Sequence, residues 1–285
     1  MRIGALLRVR LSSSRLPGKA LAPLGGRPAI THLIDRIAAS RTIESRSDIV
    51  VTTSTDPSDD PLISVVEAAG ASVFRGSLDD VIARTFGALE AFGFDAVTQV
   101  DGDDAFADPR YMEHAMETLL AEDSLDVVLC RGLPIGMATK AIRGSAIRRV
   151  HDRYLPGPNG TGAFLYFTET GLCEVAEILP FSPAHVHDTV RVTLDYPDDL
   201  RFFEALLAEL GDRPFGSEEI VAAVRRRPEL VDINAYLSGA YWEHSDELIA
   251  GERLAYADDD GTINEIEVGA GGRWYSRPRA EAAPQ

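Results

Sequence analysis

Apolar and amphipathic segments alternate along the first 130 residues, and this alternation restricts the fold more than any other feature of the sequence. Short apolar segments are typical of buried strands, and segments whose apolar residues recur at helical spacing are typical of amphipathic helices. Strand and helix alternation of this kind produces a largely parallel sheet with helices on both faces. We therefore predict an α/β fold with a mostly parallel sheet, whose strands lie at 3–7, 48–53, 71–74, 95–100 and 125–130.

The second half of the chain has a less regular pattern. Gly and Pro punctuate residues 131–170, which we expect to form a β-rich insertion on one side of the site. A further parallel strand is predicted at 189–194, followed by helices from Pro197 and over 217–226. We expect one α/β core domain at 1–230, which contains the insertion, a C-terminal extension with a β-hairpin at 231–275, and a flexible tail at 276–285.

A cationic, Ser-rich loop follows the first predicted strand. The chain has 28 Lys and Arg against 45 Asp and Glu, a formal net charge of −17, yet its first acidic residue is Asp35. A basic cluster is often a solvated loop, but the carboxyl end of a strand is where open α/β sheets bind ligands. Arg, Lys and Ser are suited to phosphate oxygens, so the loop predicts a polyanion site. Its cations and those around it are Arg2, Arg8, Arg10, Arg15, Lys19 and Arg27.

Two carboxylates follow predicted strands and are candidate metal ligands. Asp103 comes after Gly102, which allows a sharp turn, and Asp195 stands between a predicted strand and the helix at Pro197. Proteins commonly hold Mg²⁺ by one or two carboxylates together with substrate phosphates. Asp is also favoured in turns and helix caps, so from spacing alone both interpretations stay open. A third segment, 73–84, predicts a helix that Ser77 caps.

These segments carry a resemblance to a known family. Arg10-Leu-Ser-Ser-Ser-Arg-Leu-Pro-Gly-Lys19 resembles the signature of the CMP-sugar-acid synthetases of the CMP-Kdo synthetase type and of the related spore-coat polysaccharide cytidylyltransferases. The segments at 73–84, 100–109 and 191–200 resemble further parts of that family. The resemblance implies a Rossmann-like, GT-A-like nucleotidyltransferase fold in three layers, CTP and Mg²⁺ as ligands, release of pyrophosphate, and a homodimer.

The resemblance also implies roles for individual residues. Arg8 and Asp101 depart from the family pattern, in which Pro or Gln and Thr or Gln are usual. By resemblance the catalytic cations are Arg10, Arg15 and Lys19, and the metal ligands are Asp103 and Asp195. The implied nucleotide-binding residues are Arg8, Arg10, Ser13, Arg15, Lys19, Arg75, Ser77 and Asp101.

Lys140 and Arg143 stand where the spore-coat relatives tend to have acidic residues. This difference favours a small anionic acceptor, either a phosphonate or a 2-keto-3-deoxy sugar acid, although both side chains would also suit an exposed strand. Two other functions stay open. One is a nucleotidyltransferase that uses another nucleoside triphosphate on a sugar phosphate, and the other is a non-catalytic nucleotide-binding protein.

Composition excludes several classes of protein. The acidic charge argues against nucleic-acid binding, and no apolar run approaches the ~20 residues that cross a bilayer. Arg8 and Arg10 interrupt the apolar start that a signal peptide would need. Cys130 and Cys173 have no metal-ligand spacing, which is typical of a protein without disulfides. We therefore expect a cytoplasmic enzyme that acts on small molecules.

Overall fold

The structure of the protein is a computed structural model, which describes residues 1–155, 162–211, 213–249 and 251–268. β-Branched and aliphatic residues dominate the buried strands, as is usual where both faces of a sheet are covered. In chain order the strands are β1 (Ile3–Arg8), β2 (Pro23–Leu24), β3 (Arg27–Pro28), β4 (Ile49–Ser54), β5 (Ser72–Gly76), β6 (Ala96–Asp101), β7 (Val127–Cys130), β8 (Lys140–Arg143), β9 (Tyr154–Leu155), β10 (Val175–Ile178), β11 (Arg253–Ala257) and β12 (Ile263–Glu267).

The helices between these strands place one apolar face toward the sheet. Pro109 opens one helix and Asp108 caps it, because its carboxylate accepts the amide of Arg110. In chain order the helices are α1 (Ala29–Ala38), α2 (Asp60–Ala68), α3 (Val81–Phe92), α4 (Pro109–Ala121), α5 (Gly144–Arg153), α6 (Leu165–Thr168), α7 (Pro197–Leu210), α8 (Ser217–Arg226) and α9 (Leu237–Ile249).

A seven-stranded sheet forms the centre of the molecule, in the order β10-β7-β8-β6-β1-β4-β5. Within it only β8 runs in the opposite direction, because it pairs antiparallel with both β6 and β7. β1 pairs parallel with β4 and with β6, and this register sets Arg8 beside Asp101 at the carboxyl end of both strands. The predicted mostly parallel α/β sheet is confirmed.

Helices cover both faces of this sheet and complete a three-layer arrangement. Leu6 and Val97 pack with α3 and α5 on one face. Leu7 and Val51 pack with α1 and α2 on the other face, where Tyr111 of α4 lies in a neighbouring cluster with α7 and α8. Successive residues of β1 therefore point to opposite layers, as the period of a strand requires.

The predicted β-rich insertion at 131–170 is wrong for the residues that the structure describes. Lys140–Arg143 is a strand of the central sheet, and the segment continues with the two helices α5 and α6. The other strand of this segment, β9, lies outside the central sheet and pairs with β11. The apolar run 163–167 is buried as a helix and its preceding turn, because a run this short does not distinguish a strand from a buried helix.

The predicted strand at 189–194 is also wrong. This segment is buried and extended but forms a single parallel bridge, between Ile135 and Arg191. The Val192 amide donates to the Ile135 carbonyl at 2.8 Å, and the Leu194 amide donates to the Asp103 carbonyl at 2.9 Å. The segment thus connects two loops at one end of the sheet, so it never gains the neighbours of a full strand.

The C-terminal extension contains the predicted hairpin, as β11 and β12, and a helix that the sequence pattern did not indicate, α9. The order β12-β11-β9 joins the extension to the end of α5. The predicted tail at 276–285 lies outside the described residues. Within the described part of the chain, no helix is both long and apolar enough to span a bilayer.

Candidate active site

A cavity of about 370 Å³ opens at the carboxyl ends of β1 and β6. Its wall includes the end of β1 at Arg8, the cationic loop from Val9 to Ala20, and the turn after β6 from Asp101 to Asp104. Gly102 makes this arrangement possible, because an added Cβ would lie 2.8 Å from the Arg8 carbonyl oxygen and 2.6 Å from Val9. The cavity is therefore where the sequence predicted it.

The cationic loop is fixed at both ends. The Leu11 amide donates to Asp59 Oδ1 at 2.8 Å, and Asp59 is itself buried behind the loop. Near the other end Gly18 has a φ of 70°, which favours glycine, and its amide donates to the Leu11 carbonyl at 3.0 Å. A short 3₁₀ turn then holds Lys19 at the cavity.

Lys19 joins the two predicted metal ligands. Its ammonium donates to Asp103 Oδ2 at 2.7 Å and to Asp195 Oδ1 at 2.9 Å. Burial works against the charged form of Lys19, yet the two carboxylates outweigh it and raise the pKa of Lys19. Burial, with Asp195 and Asp101 nearby, raises the pKa of Asp103 despite the Lys19 charge. These residues, 84 and 176 positions from Lys19, meet only in the fold.

Two guanidinium groups hold the second carboxylate. Arg15 Nη2 donates to Asp195 Oδ1 at 2.6 Å, and the fully buried Arg191 donates from Nη2 to Asp195 Oδ2 at 2.8 Å. Arg191 is oriented in turn by Asp199, whose Oδ1 accepts from Nε at 2.9 Å. Burial favours protonation of Asp195, but Lys19, Arg15 and Arg191 together lower its pKa. Asp195 is thus held as a carboxylate, fully buried beside Lys19 and behind the residues that line the cavity.

Asp103 and Asp195 fit a divalent cation. One carboxylate oxygen of each lies within 2.9 Å of a single point, the Lys19 ammonium, so both side chains already converge on one cationic group. Among the residues that the structure describes, no group of three or more His, Cys, Asp or Glu side chains surrounds a common metal position. Two carboxylates with substrate phosphates completing the shell is an arrangement that Mg²⁺ accepts.

Asp101 lines the cavity but both of its oxygens have protein partners. Arg8 donates to Oδ1, and Lys140 donates to Oδ2 at 2.9 Å. Lys140 is only 1% exposed and lies behind Asp101, over the ring of Phe164. Burial would raise the pKa of Asp101, yet Arg8 and Lys140 lower it. Lys140 therefore supports the cavity wall, which corrects the expected direct role in binding an acceptor.

A second cation, which the sequence analysis did not single out, accompanies Arg10. Arg84 of α3 is 3% exposed and lines the cavity, as do Arg10 and Ser13. Arg10 and Arg84 both donate to the Leu78 carbonyl, and neither has a carboxylate partner among the described residues. Burial, then Arg10 and Arg8, lower the pKa of Arg84 to about 10. Arg84 ends the 73–84 segment that resembles the family, and this was the sequence signal that could have identified it.

The turn before α3 differs in detail from the prediction. Asp80 is the N-cap of α3, because its Oδ1 accepts the Ala83 amide at 2.8 Å. Ser77 instead accepts the Asp80 amide at 3.0 Å, which shapes the turn without capping the helix. Both residue types are good caps, so the sequence pattern could not separate positions three residues apart. Ser77 does not line the cavity, but its carbonyl accepts from Arg84.

Two predicted site residues lie elsewhere. Arg75 donates to the carbonyls of Ser54 and Asp56 and pairs with Asp60, so its guanidinium braces the loop after β4. Arg143 pairs in register with Ala96, at the end of β6 away from the cavity. Its guanidinium donates to backbone carbonyls at the end of α4 and in the turn before β7. The structure thus corrects the expected acceptor role of Arg143.

Tyr241 of α9 also lines the cavity, although no sequence pattern pointed to it. Its ring lies under the Arg191 guanidinium at 4.5 Å and near that of Arg15 at 5.5 Å. Burial, followed by the charges of Asp195 and Asp103, raises the pKa of Tyr241 well above its usual value. The phenol is therefore a neutral hydrogen-bond donor under all ordinary conditions.

The sequence is similar to known cytidylyltransferases and their relatives. A family model described as a cytidylyltransferase matches residues 5–169. The spore coat polysaccharide biosynthesis protein SpsF of Bacillus subtilis is 25% identical over 232 residues, covering 79% of this chain and 94% of the relative. The 3-deoxy-manno-octulosonate cytidylyltransferase of Yersinia enterocolitica is 27% identical over 173 residues, covering 59% of this chain and 62% of the relative.

A solved structure described as a cytidylyltransferase from Leptospira borgpetersenii has the same fold. It aligns with a TM-score of 0.73 and 21% identity, covering 81% of this chain and 97% of the other. The family match extends over more than half of the chain and includes the cationic loop, the Asp101–Asp104 turn and Arg84. The chain belongs to the cytidylyltransferase family and is a nucleotidyltransferase that transfers CMP from CTP.

Proposed function

We propose that this enzyme joins CMP to a small anionic acceptor, either a phosphonate or a 2-keto-3-deoxy sugar acid, and releases pyrophosphate. The observation that supports it is the content of one cavity, in which four cations line the wall beside two converging carboxylates. Preorganised cations stabilise a triphosphate and the charge that develops when it is cleaved. The four cations are Arg8, Arg10, Lys19 and Arg84.

In the proposed reaction an acceptor oxygen forms a bond to the α-phosphorus of CTP while the bond from that phosphorus to the bridging oxygen breaks. The leaving pyrophosphate takes the electron pair, and Arg10, Arg15 and Lys19 neutralise its charge. A phosphonate oxygen is already anionic at pH 7 and needs no general base. A sugar hydroxyl must lose its proton during the attack.

Asp103 and Asp195 are the proposed ligands of Mg²⁺, which would shield the phosphate charges and lower the pKa of an acceptor hydroxyl. Lys19 now pairs with the same two carboxylates. A cation bound there would compete with Lys19 for these carboxylate oxygens, and the Lys19 ammonium would then be available to the triphosphate.

An anionic acceptor is still supported after the corrections above. Lys140 is buried and Arg143 is distant, so neither carries the argument. Arg10 and Arg84 line the cavity without a carboxylate partner in the described part of the chain, which leaves positive charge for a ligand. The Yersinia relative is named for a sugar acid, an acceptor with one carboxylate.

Pyrophosphate release with CTP and Mg²⁺ tests this function across sugar acids, phosphonates and sugar phosphates, with UTP, ATP and GTP in parallel. We expect release with CTP and one anionic acceptor class. Release with another nucleotide and a sugar phosphate would contradict the proposal, as would CTP binding without release. Size-exclusion chromatography with light scattering tests the proposed homodimer, and fractionation of cells tests the proposed cytoplasmic location.

A further inference from the structure

The C-terminal extension brings a side chain into the cavity from outside the matched family segment. The family model ends at residue 169, whereas Tyr241 lies in α9. About four fifths of this chain account for nearly the whole length of the Bacillus and Leptospira proteins. The residue that α9 brings to the cavity wall therefore lies outside the segment that the family model matches, as Arg191 and Asp195 do.

Tyr241 is positioned by Arg15 and Arg191, the two cations that also hold Asp195. Arg191 is fully buried, bridges Asp195 and Asp199, and lies 4.5 Å above the Tyr241 ring. Its Nη1 has no hydrogen-bond partner in the described residues, which leaves that N–H group to the ring face. Arg15 lies on the same ring at 5.5 Å. Cation–π contacts of this kind are strongest when desolvated, so the ring is held firmly.

Tyr241 lies at the Asp195 side of the cavity, where Arg191 and Arg15 contact its ring. It packs on the 191–195 segment, which is hydrogen-bonded to Ile135 through Val192. Ile135 lies in the loop between β7 and β8, and the Leu194 amide donates to Asp103 in the turn after β6, whereas Arg84 sits on α3, which follows the edge strand β5. The cationic loop after β1 lies between these two sides of the cavity, and its Arg15 reaches Tyr241. Tyr241 thus faces the space left for the second substrate.

The Tyr241 hydroxyl has no hydrogen-bond partner among the residues that the structure describes, yet the side chain lines the cavity. A phenol in such a place is a free donor with an apolar ring behind it. We propose that Tyr241 is an acceptor-binding residue, whose hydroxyl donates to an anionic oxygen of the acceptor while its ring closes that side of the cavity. This assignment rests on the proposed function.

The consequence is that acceptor selection depends on the extension. The fold and the cationic loop bind CTP, and α9 adds a donor directed at the acceptor. A substrate oxygen that leaves this hydroxyl unpaired would bind less well, because a buried donor without a partner is costly. Removal of the hydroxyl alone should therefore weaken the acceptor and leave CTP binding as it was.

The test compares Tyr241→Phe and Tyr241→Ala with wild type and with Tyr236→Phe. Tyr236 is a matched control because it lies just before α9, is 66% exposed and donates to Asp198 rather than into the cavity. Pyrophosphate release gives kcat and KM for each substrate, using the acceptor that the panel identifies. We expect Tyr241→Phe to raise the acceptor KM about tenfold, the loss of one charge-assisted hydrogen bond, with the CTP KM within about twofold.

Tyr241→Ala should raise the acceptor KM further, and Tyr236→Phe should match wild type. An unchanged acceptor KM in both Tyr241 variants would overturn the assignment, as would an equal rise in the KM for CTP. Wild type that binds CTP but releases no pyrophosphate contradicts the proposed function instead. In that case, thermal shift with CTP plus methylphosphonate or 3-deoxy-manno-octulosonate tests whether Tyr241 binds the acceptor. Added stabilisation that Tyr241→Phe abolishes supports the assignment, and no stabilisation of wild type overturns it.

Discussion

At the scale of single residues, the site depends on charges that balance one another across long separations in sequence. Lys19 is held between Asp103 and Asp195, and Arg15 shares the second of these carboxylates. Each group has a partner in the absence of ligand, which spares the buried charges the cost of desolvation without compensation. Substrate phosphates and a divalent cation would exchange these partners for new ones.

Lys19→Ala should lower kcat by about 10²-fold or more, because the leaving pyrophosphate loses one positioned cation. Arg27→Ala is the matched control, since Arg27 is an exposed cation that pairs with Asp35 outside the cavity. Pyrophosphate release at saturating CTP measures both variants. Turnover of Lys19→Ala near the wild-type rate would remove Lys19 from the mechanism, whatever its effect on stability.

Arg84→Gln should weaken CTP binding by about tenfold to a hundredfold, the loss of one charge-assisted contact in a desolvated site. Arg148→Gln is the control, because Arg148 is an exposed cation on α5 that pairs with Glu90. Isothermal titration with CTP and then with CMP distinguishes the part of the nucleotide involved. A loss equal for both nucleotides would show that Arg84 contacts the nucleoside or the α-phosphate rather than the β- and γ-phosphates.

At the scale of elements, the sequence predicted what is regular and local. The spacing of apolar residues identified the strands of the parallel sheet, and Pro109 and Ser217 marked where two helices begin. The place of β8 inside the central sheet was missed because Lys140 and Arg143 at its ends are typical of an exposed strand. The Lys140 charge is buried only because Asp101 lies beside it, and such a partner cannot be read from local spacing.

The same limit explains which site residues were found. Asp103 and Asp195 follow recognisable patterns and converge as predicted. Tyr241 has no local signal, since its position depends on a cation contact with a residue 50 positions earlier. Arg143 had the charge expected of an acceptor residue but sits at the wrong end of its strand. Residue type gives the chemistry, and only the register and direction of the strand give the place.

Substitution of Gly136 tests the contact between the loop before β8 and the 191–195 segment. It has a φ of 87°, and an added Cβ would lie 1.8 Å from the Val192 carbonyl oxygen, so Gly136→Ala must displace backbone. Gly171→Ala is the control, because Gly171 has a φ of 75° with no atom near an added Cβ. The control isolates the backbone strain, roughly 1 kcal/mol.

We expect Gly136→Ala to lose about 2 kcal/mol more than Gly171→Ala, since overpacking against backbone adds to the strain. The melting temperature should fall by several degrees more. The Gly136→Ala substitution should also raise the acceptor KM, because the displaced segment carries Arg191 and Asp195. Equal melting temperatures for the two variants would show that the segment moves aside at no cost.

At the scale of the whole molecule, buried ion pairs connect the active site to the stability of the sheet. Asp101 at the end of β6 pairs with Arg8 at the end of β1 and with Lys140 at the start of β8. These three strands are adjacent in the centre of the sheet. One carboxylate therefore neutralises two cations on neighbouring strands, and its loss should be felt across the molecule rather than in the cavity alone.

Asp101→Asn should lower the free energy of unfolding at pH 7 by about 3 kcal/mol, because Lys140 is left buried without its charged partner. Folding lowers the pKa of Asp101 below the ordinary value of 3.8. A lowered carboxylate pKa stabilises the protein above the unfolded pKa, and this contribution is lost as the pH falls through the folded pKa. The difference between wild type and Asp101→Asn should accordingly shrink only below about pH 4.

Urea unfolding at pH 7, 5 and 3 measures this difference, with Asp123→Asn as an exposed carboxylate control. The control should match wild type at every pH. An Asp101→Asn variant as stable as wild type at pH 7 would show that Arg8 and Lys140 do not depend on this carboxylate. A difference that widens as the pH falls from 7 to 5 would mean that the folded pKa of Asp101 is raised, because the folded protein would then take up the proton before the unfolded chain does.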